Sequence, residues 1–115
     1  MKSPITTHVL DTAQGRPANG IDAKLSWRNA GGAWQELASG TTNDDGRIMN
    51  WLPVDFQLKA GVYQITFDTG NYFRRQGAAN FYPFVSLHFE ITQPEQHYHV
   101  PLLLSPFGYS TYRGS

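Results

Sequence analysis

The sequence predicts an all-β fold, a sandwich or barrel of about eight short strands in a single domain over residues 1–115. Apolar and polar residues alternate with a period of two in several segments, as in strands with one buried face. Gly, Pro, Asn and Asp separate these segments at short intervals, which is typical of all-β domains. A chain of 115 residues also has the usual size of one domain with one core.

A turn separates the first two predicted strands. Residues 6–12 are rich in β-branched and apolar residues, and Gly15 and Pro17 follow them. Residues 21–28 alternate cleanly. One face of that strand collects the apolar side chains Ile21, Ala23, Leu25 and Trp27, so we expect it to face the core.

The next two predicted strands are also set off by turn-forming residues. A glycine-containing loop leads into a strand over residues 34–39. Asn, Asp and Gly at 43–46 form a strong turn signal. A short strand is therefore predicted over residues 47–51, opened by Arg47 and closed by Pro53.

The second half contains two further alternating segments and the one helical candidate. Residues 62–68 and 84–91 alternate between apolar and polar side chains. Between them, residues 71–77 are predicted to form a short helical turn, capped at Asn71 and ended by Gly77.

Composition limits the classes of partner. The formal net charge is +0 and 16% of residues are charged, so the chain lacks the basic field that attracts nucleic acid or acidic lipid. It has no cysteine, which excludes disulfides and thiolate chemistry. No apolar run reaches the roughly 20 residues of a membrane span. We expect a cytoplasmic protein, unless a leader has been removed, that binds small molecules or copies of itself.

A His-x-His pair opens the final apolar strand, predicted over residues 97–104. A period of two places one set of side chains in the core: Tyr98, Val100, Leu102 and Leu104. His97 and His99 then project from the opposite face, toward water or another subunit.

Three interpretations of this pair stay open on the residues alone. Two histidines on a strand can simply be solvated. They could share a metal ion with His8 or His88, although no acidic ligand cluster or HExxH motif accompanies them. They could also do acid–base chemistry, since imidazole titrates close to neutral pH.

Acid–base chemistry needs partners, and the candidates are Arg47, Tyr112 and Arg113. An arginine offers a rigid fork of donors for carbonyl or anionic oxygens, and a tyrosine adds a hydroxyl on a flat ring. The serines lack a G-x-S-x-G context, so activated water is a simpler nucleophile than a side chain.

Four motifs resemble those of the 5-hydroxyisourate hydrolases, enzymes of urate breakdown in the transthyretin-like protein family. They are HVLDTAQGRPA from His8, TNDDGR from Thr42, FYPF from Phe81, and HYHVPLLLSPFGYSTYRGS from His97. The resemblance runs from about residue 5 to the C-terminus. It implies a transthyretin-like (prealbumin-type) eight-stranded β-sandwich with one short helix after the fifth strand, and a homotetramer with active sites in the channel between two dimers.

The resemblance also implies a reaction and the residues that carry it. The reaction is hydrolysis of a ring amide of 5-hydroxyisourate to 2-oxo-4-hydroxy-4-carboxy-5-ureidoimidazoline, with no metal or organic cofactor. His8 and His99 would activate water, Arg47 would bind substrate oxygens and stabilise developing charge, and Tyr112 would orient the ring. His97 and Ser115 belong to the same motifs and are secondary candidates.

Two other classes of function remain as alternatives. Transthyretin itself is a small-molecule carrier that uses the equivalent channel for binding, and it lacks the histidines and the YRGS ending. A plain β-sandwich interaction module would account for the strands but not for these side chains together. The sequence does not indicate which histidine is the base and which the acid, nor whether the terminal carboxylate takes part.

Overall fold

Two β-sheets with a shared apolar core and one short helix make up the computed structural model, which describes residues 3–115. The strands and the helix, in chain order, are β1 (Ile5–Asp11), β2 (Arg16–Pro17), β3 (Asp22–Arg28), β4 (Trp34–Thr41), β5 (Arg47–Ile48), β6 (Gly61–Phe67), α1 (Thr69–Arg75), β7 (Val85–Ile91), β8 (Tyr98–Ser105) and β9 (Gly108–Thr111). Seven of these strands correspond to the seven segments located from the sequence, β2 and β9 are additional, and α1 lies between β6 and β7. The predicted all-β sandwich with one short helix is confirmed.

The two sheets differ in how they are connected. One has the order β4-β3-β6-β7 and is antiparallel throughout. The other has the order β2-β1-β8-β9, and β5 also pairs with β1, at Thr7 and His8. In this second sheet β1 and β8 run parallel over seven residue pairs, from Ile5↔Tyr98 to Asp11↔Leu104. The first strand therefore lies directly beside the strand that follows His97.

The core forms from the faces that alternation predicted. From β3, Ala23 and Leu25 are buried, and Trp27 is half-buried against them. The buried side chains of β6, β7 and β8 are Tyr63, Ile65, Phe67, Val85, Leu87, Ile91, Tyr98, Val100, Leu102 and Leu104. Because both sheets contribute to this one layer, the opposite face of each sheet is left for solvent or other contacts.

The helix begins two residues before its predicted start. Its N-cap is Asp68, and not Asn71 as predicted, because the Asp68 carboxylate accepts a hydrogen bond from the backbone N–H of Asn71 at 3.2 Å. The predicted end is correct, since Gly77 follows the helix with φ +68°. The helix is anchored from its buried side, where the Tyr72 hydroxyl donates to Asp11 Oδ2 at 2.8 Å.

The predicted strand over residues 47–51 is also too long, because β5 ends at Ile48. A longer β5 would have paired with the backbone of Ile5, but the indole N–H of Trp51 occupies the Ile5 carbonyl at 2.7 Å. In the part of the chain that the structure describes, no helix has the length and apolar character needed to cross a membrane.

Candidate active site

The candidate residues collect on the outer face of the sheet that contains β1 and β8. Along β1 the side chains of Ile5, Thr7, Val9 and Asp11 are fully buried toward the core. Thr6, His8 and Leu10 alternate with them and therefore point to the outer face. His8 is half-buried there.

Strand register brings Arg47 to His8. The two residues are direct partners in the antiparallel β1–β5 pairing, and side chains of such partners lie on the same face of a sheet. On the other side of β1, His8 is the partner of Pro101. Arg47, His8 and Pro101 thus form one row across three strands, with adjacent strands about 4.8 Å apart.

A second row contains the histidine pair. Thr6 is the partner of His99, and its hydroxyl oxygen lies 2.7 Å from His99 Nδ1 and 3.2 Å from His97 Nε2. The two rows are separated by two residues along β1, which is roughly 6.6 Å. The parallel pairing therefore places His99 beside His8 although 91 positions separate them in the chain.

The turn before β5 fixes Arg47 in this row. The Asn43 side chain accepts hydrogen bonds from the backbone N–H groups of Asp45 at 2.9 Å and Arg47 at 3.0 Å. Gly46 adopts φ +73° and lies so close to β1 that a Cβ would be 2.4 Å from the Val9 carbonyl oxygen. Its own carbonyl accepts from the Val9 N–H at 2.7 Å. The TNDDGR motif is therefore a turn that packs directly on β1.

This packing changes the proton affinity of His8. The pKa of His8 lies below its ordinary value of 6.5, first because burial penalises the charged ring and second because the Arg47 guanidinium is close. Two smaller effects raise the pKa and oppose this shift: a hydrogen bond to the Asp45 backbone and the negative charge of the Asp45 carboxylate. The imidazole of His8 is consequently neutral at neutral pH and has a lone pair for accepting a proton.

The C-terminal tail completes the outer face. Gly114 bridges to His99, donating its N–H to the His99 carbonyl at 2.8 Å. The β8–β9 register, continued by one residue past Leu102↔Thr111, puts the exposed Tyr112 opposite Pro101. Tyr112 therefore extends the row of Arg47, His8 and Pro101. Ser115 is exposed and directly follows the residue that bridges to His99.

Arg113 and His88 lie outside the row of Arg47, His8 and Tyr112. The Arg113 guanidinium stacks over the Tyr98 ring at 4.3 Å and bonds Gln96 Oε1 at 2.9 Å. It also donates to the His97 backbone carbonyl at 3.4 Å and lines a groove of about 430 Å³ between β7 and β8. Arg113 thus contacts the backbone of the histidine pair, and its role as a partner for the imidazoles stays a prediction. His88 is exposed on the outer face of the other sheet, beside Gln64. Within residues 3–115 no cluster of three or more His, Cys, Asp or Glu side chains is arranged to hold a metal ion.

Sequence reasoning missed Thr6, which contacts both histidines. The signal was present, since Thr6 and His8 share one face of a strand with period two. What the sequence did not contain was the parallel register that places Thr6 opposite His99. Pro101, buried beside His8 in the same row, was missed for the same reason.

Comparisons with known proteins agree on one family. Residues 5–114 match the model of the HIUase/Transthyretin family. The 5-hydroxyisourate hydrolase of Mus musculus is 50% identical over 114 residues, which cover 98% of this chain and 96% of that protein. The structure of Klebsiella pneumoniae 5-hydroxyisourate hydrolase gives a TM-score of 0.83 at 37% identity, covering 96% of this chain and 98% of that one. Sea bream transthyretin in complex with thyroxine gives 0.90 at 37% identity, covering 96% and 94%.

Proposed function

The chain belongs to the HIUase/Transthyretin family, and we propose that it hydrolyses 5-hydroxyisourate in urate catabolism. The observation that carries this proposal is the convergence of His8, Arg47 and His99 on one sheet face. An enzyme that adds water to a ring amide needs a proton acceptor, a stabiliser of the developing oxyanion and a proton donor for the leaving nitrogen. Two imidazoles and one guanidinium provide these groups without a metal ion or an organic cofactor.

Water activation is assigned to the two imidazoles. His8 is neutral at neutral pH because its pKa is lowered by burial and by Arg47, so its lone pair can accept a hydrogen bond from the attacking water and orient it. His99 lies in the next row, within reach of the same small ring. Water attacks the carbonyl carbon as its proton moves to an imidazole, the C–N bond then breaks, and an imidazolium returns a proton to the nitrogen.

Arg47 has two effects in this scheme. Its guanidinium can donate two parallel hydrogen bonds to oxygens of the substrate and stabilise the negative charge that develops during attack. It also disfavours the protonated form of His8. The same cation therefore binds the substrate and keeps the neighbouring His8 ring neutral.

Tyr112 is assigned to substrate orientation. It stands across Pro101 from His8, two strand spacings or roughly 10 Å away, with Pro101 as an apolar floor between them. A flat ring of the size of 5-hydroxyisourate fits between these side chains. His97 is assigned an indirect role through its neighbours Thr6 and His99. Ser115, the last residue of the tail, lies beside the row that contains His99.

The site face is open in the single chain, and we propose that a second copy covers it in a homotetramer of two dimers. Leu10 and Leu103, which are partners on this face, are only half-buried. Tyr109 and Tyr112 remain exposed nearby. Covering this face would exclude water from the substrate and strengthen the electrostatic effect of Arg47.

A carrier function is the alternative, because the backbone is similar to a thyroxine-bound transthyretin as well as to a hydrolase. Backbone similarity does not discriminate between the two, since one fold supports many functions. The side chains favour the enzyme. Binding alone does not require a neutral imidazole beside a guanidinium and a pair of hydrogen-bonded histidines.

The direct test generates 5-hydroxyisourate from urate with a uricase and follows its ultraviolet decay. We expect the protein to accelerate the decay catalytically, at substoichiometric concentration. Decay at the buffer rate, together with saturable binding of a urate analogue, would favour the carrier. A cytoplasmic location is a further part of the proposal, and fractionation of cells that express the chain tests it.

A further inference from the structure

The Thr6 hydroxyl lies between two imidazoles on the outer face of β1. We propose that Thr6 is a positioning residue that couples the tautomers of His97 and His99 and passes a proton between them. The inference rests on the proposed hydrolysis, because it specifies how the proton taken from water is held until the leaving nitrogen needs it.

The position of the hydroxyl is tightly fixed. Thr6 is fully buried, and its backbone is held in the sheet as the partner of His99. Its β-branched side chain has few accessible χ1 rotamers. Its oxygen is 2.7 Å from His99 Nδ1 and 3.2 Å from His97 Nε2, so both contacts are within hydrogen-bond distance.

A single hydroxyl imposes a rule on these two contacts. It has one proton to donate and two lone pairs, so it cannot donate to both imidazoles, and in two arrangements it donates to one ring and accepts from the other. In the first arrangement Thr6 donates to His97 Nε2 and accepts from His99 Nδ1–H, which leaves the Nε2 lone pair on a neutral His99. In the second arrangement Thr6 donates to His99 Nδ1 and accepts from His97 Nε2–H, and the proton of a neutral His99 is on Nε2.

Proton transfer converts the first arrangement into the second. When His99 Nε2 takes a proton from water, its Nδ1 proton moves to the Thr6 oxygen as the Thr6 proton moves to His97 Nε2. His99 is again neutral and now carries the proton on Nε2, while His97 becomes the imidazolium. The reverse transfers follow when His99 gives its Nε2 proton to the leaving nitrogen, so the cycle closes with no net gain or loss of protons.

This relay gives a role to both histidines of the His-x-His pair, His97 just before β8 and His99 within it. His99 can act first as base and then as acid at the same atom. The positive charge is stored between these steps on His97, which is exposed and therefore better hydrated than a charge at the covered site.

The test compares three variants of the full chain. Thr6→Val removes the hydroxyl and keeps the shape, and Thr6→Ser restores the hydroxyl. The matched control is Thr7→Val, because Thr7 is equally buried on the same strand but donates to the Val100 carbonyl at 2.6 Å on the core face. Each variant is measured for kcat and KM with 5-hydroxyisourate, and the histidine tautomers are read from ¹⁵N shifts in long-range NMR spectra.

We expect Thr6→Val to lower kcat by up to about 10²-fold with little change in KM, as misplacement of a reacting group does. We also expect it to change the tautomer populations of both His97 and His99, whereas Thr6→Ser and Thr7→Val retain wild-type tautomers and most of the kcat. Unchanged tautomers in Thr6→Val would overturn the proposal, as would an equal loss of kcat in Thr7→Val. The NMR measurement needs no turnover, so a wild-type protein without hydrolase activity would refute the proposed function and leave the coupling of the two rings separately measurable.

Discussion

At the scale of single residues, the environment of His8 decides which protonation state the site presents. Burial and Arg47 both favour the neutral ring. Because the folded pKa is lowered, the unfolded chain binds more protons than the native state as the pH falls below 6.5. The contribution of His8 to stability is therefore complete above pH 6.5 and is lost as the pH falls through the lower folded pKa.

Replacing Arg47 with Gln should raise the pKa of His8 toward 6.5, because a nearby positive charge is removed while the burial remains. An NMR titration of the histidine ring protons measures this. Arg28→Gln is the control, since Arg28 lies in the β3–β4 hairpin and bonds Gly32, and it should leave the His8 titration unchanged. A His8 pKa that stays constant or falls in Arg47→Gln would contradict the assigned role.

Gly114 is predicted to be necessary for the position of His99. A Cβ at Gly114 would lie 2.6 Å from His99 Cδ2 and 3.2 Å from Pro101 Cγ, so the imidazole must move away from its bond to Thr6. Gly114→Ala should therefore lower the hydrolysis rate by roughly 10²-fold, the cost of a misplacement of about 1 Å, without a large loss of stability.

Gly108→Ala is the control for this change, because a Cβ at Gly108 meets only Ser105 Oγ at an ordinary 3.7 Å. Rates and thermal denaturation of both variants are measured together. Equal rates for the two variants would contradict the prediction, because they would show that the position of the His99 ring tolerates a Cβ at Gly114.

At the scale of elements, the turn over residues 43–47 matters most, because it holds Arg47 against β1. We predict that Gly46→Ala destabilises the protein by more than Gly15→Ala. Both glycines have similar positive φ values, +73° and +68°, and each alanine should cost about 1–2 kcal/mol for that conformation. Only at Gly46 does the new Cβ also clash, with the Val9 carbonyl oxygen.

Chemical denaturation of the two variants gives the difference in free energy of unfolding. Hydrolysis should fall in Gly46→Ala and be retained in Gly15→Ala, where the added Cβ has no atom within 4 Å. Equal losses of stability would mean that the turn can move away from β1 without cost.

Element prediction from the sequence worked where a single face is buried. Alternation identified the core sides of β3, β6, β7 and β8, because a period of two is fixed by strand geometry. It failed at boundaries that depend on contacts between distant residues. The bond from Trp51 to Ile5 that ends β5, and the cap that Asp68 forms, compete with local propensity in ways that a pattern does not reveal.

The candidate site was predictable only in part for the same reason. Residue types and motifs indicated His8, Arg47, His99 and Tyr112, and alternation indicated the outer face for His99. Neither indicated that β1 pairs in parallel with β8, so the rows across the sheet, the contacts of Thr6 with both histidines and those of Arg113 with Tyr98 and His97 required the structure.

At the scale of the whole molecule, the proposed tetramer should depend on the site face. Leu103→Glu places a charge beside Leu10 in the proposed contact, where burial of an unpaired carboxylate is costly. We expect smaller assemblies by light scattering and a lower hydrolysis rate, with the circular dichroism of a folded sandwich. Ser86→Glu, on the exposed face of the other sheet, should retain the wild-type mass; a tetramer that survives Leu103→Glu would place the contact elsewhere.

The central claim is that the face containing His99 carries the chemistry. The most direct measurement compares the initial rate of 5-hydroxyisourate decay for His99→Asn and for His88→Asn, each with wild-type assembly mass. Loss of a general acid–base residue typically costs roughly 10²–10⁴-fold, so we predict a fall of that size in His99→Asn and a wild-type rate in His88→Asn, whose side chain lies on the other sheet. A wild-type rate in His99→Asn would contradict the account.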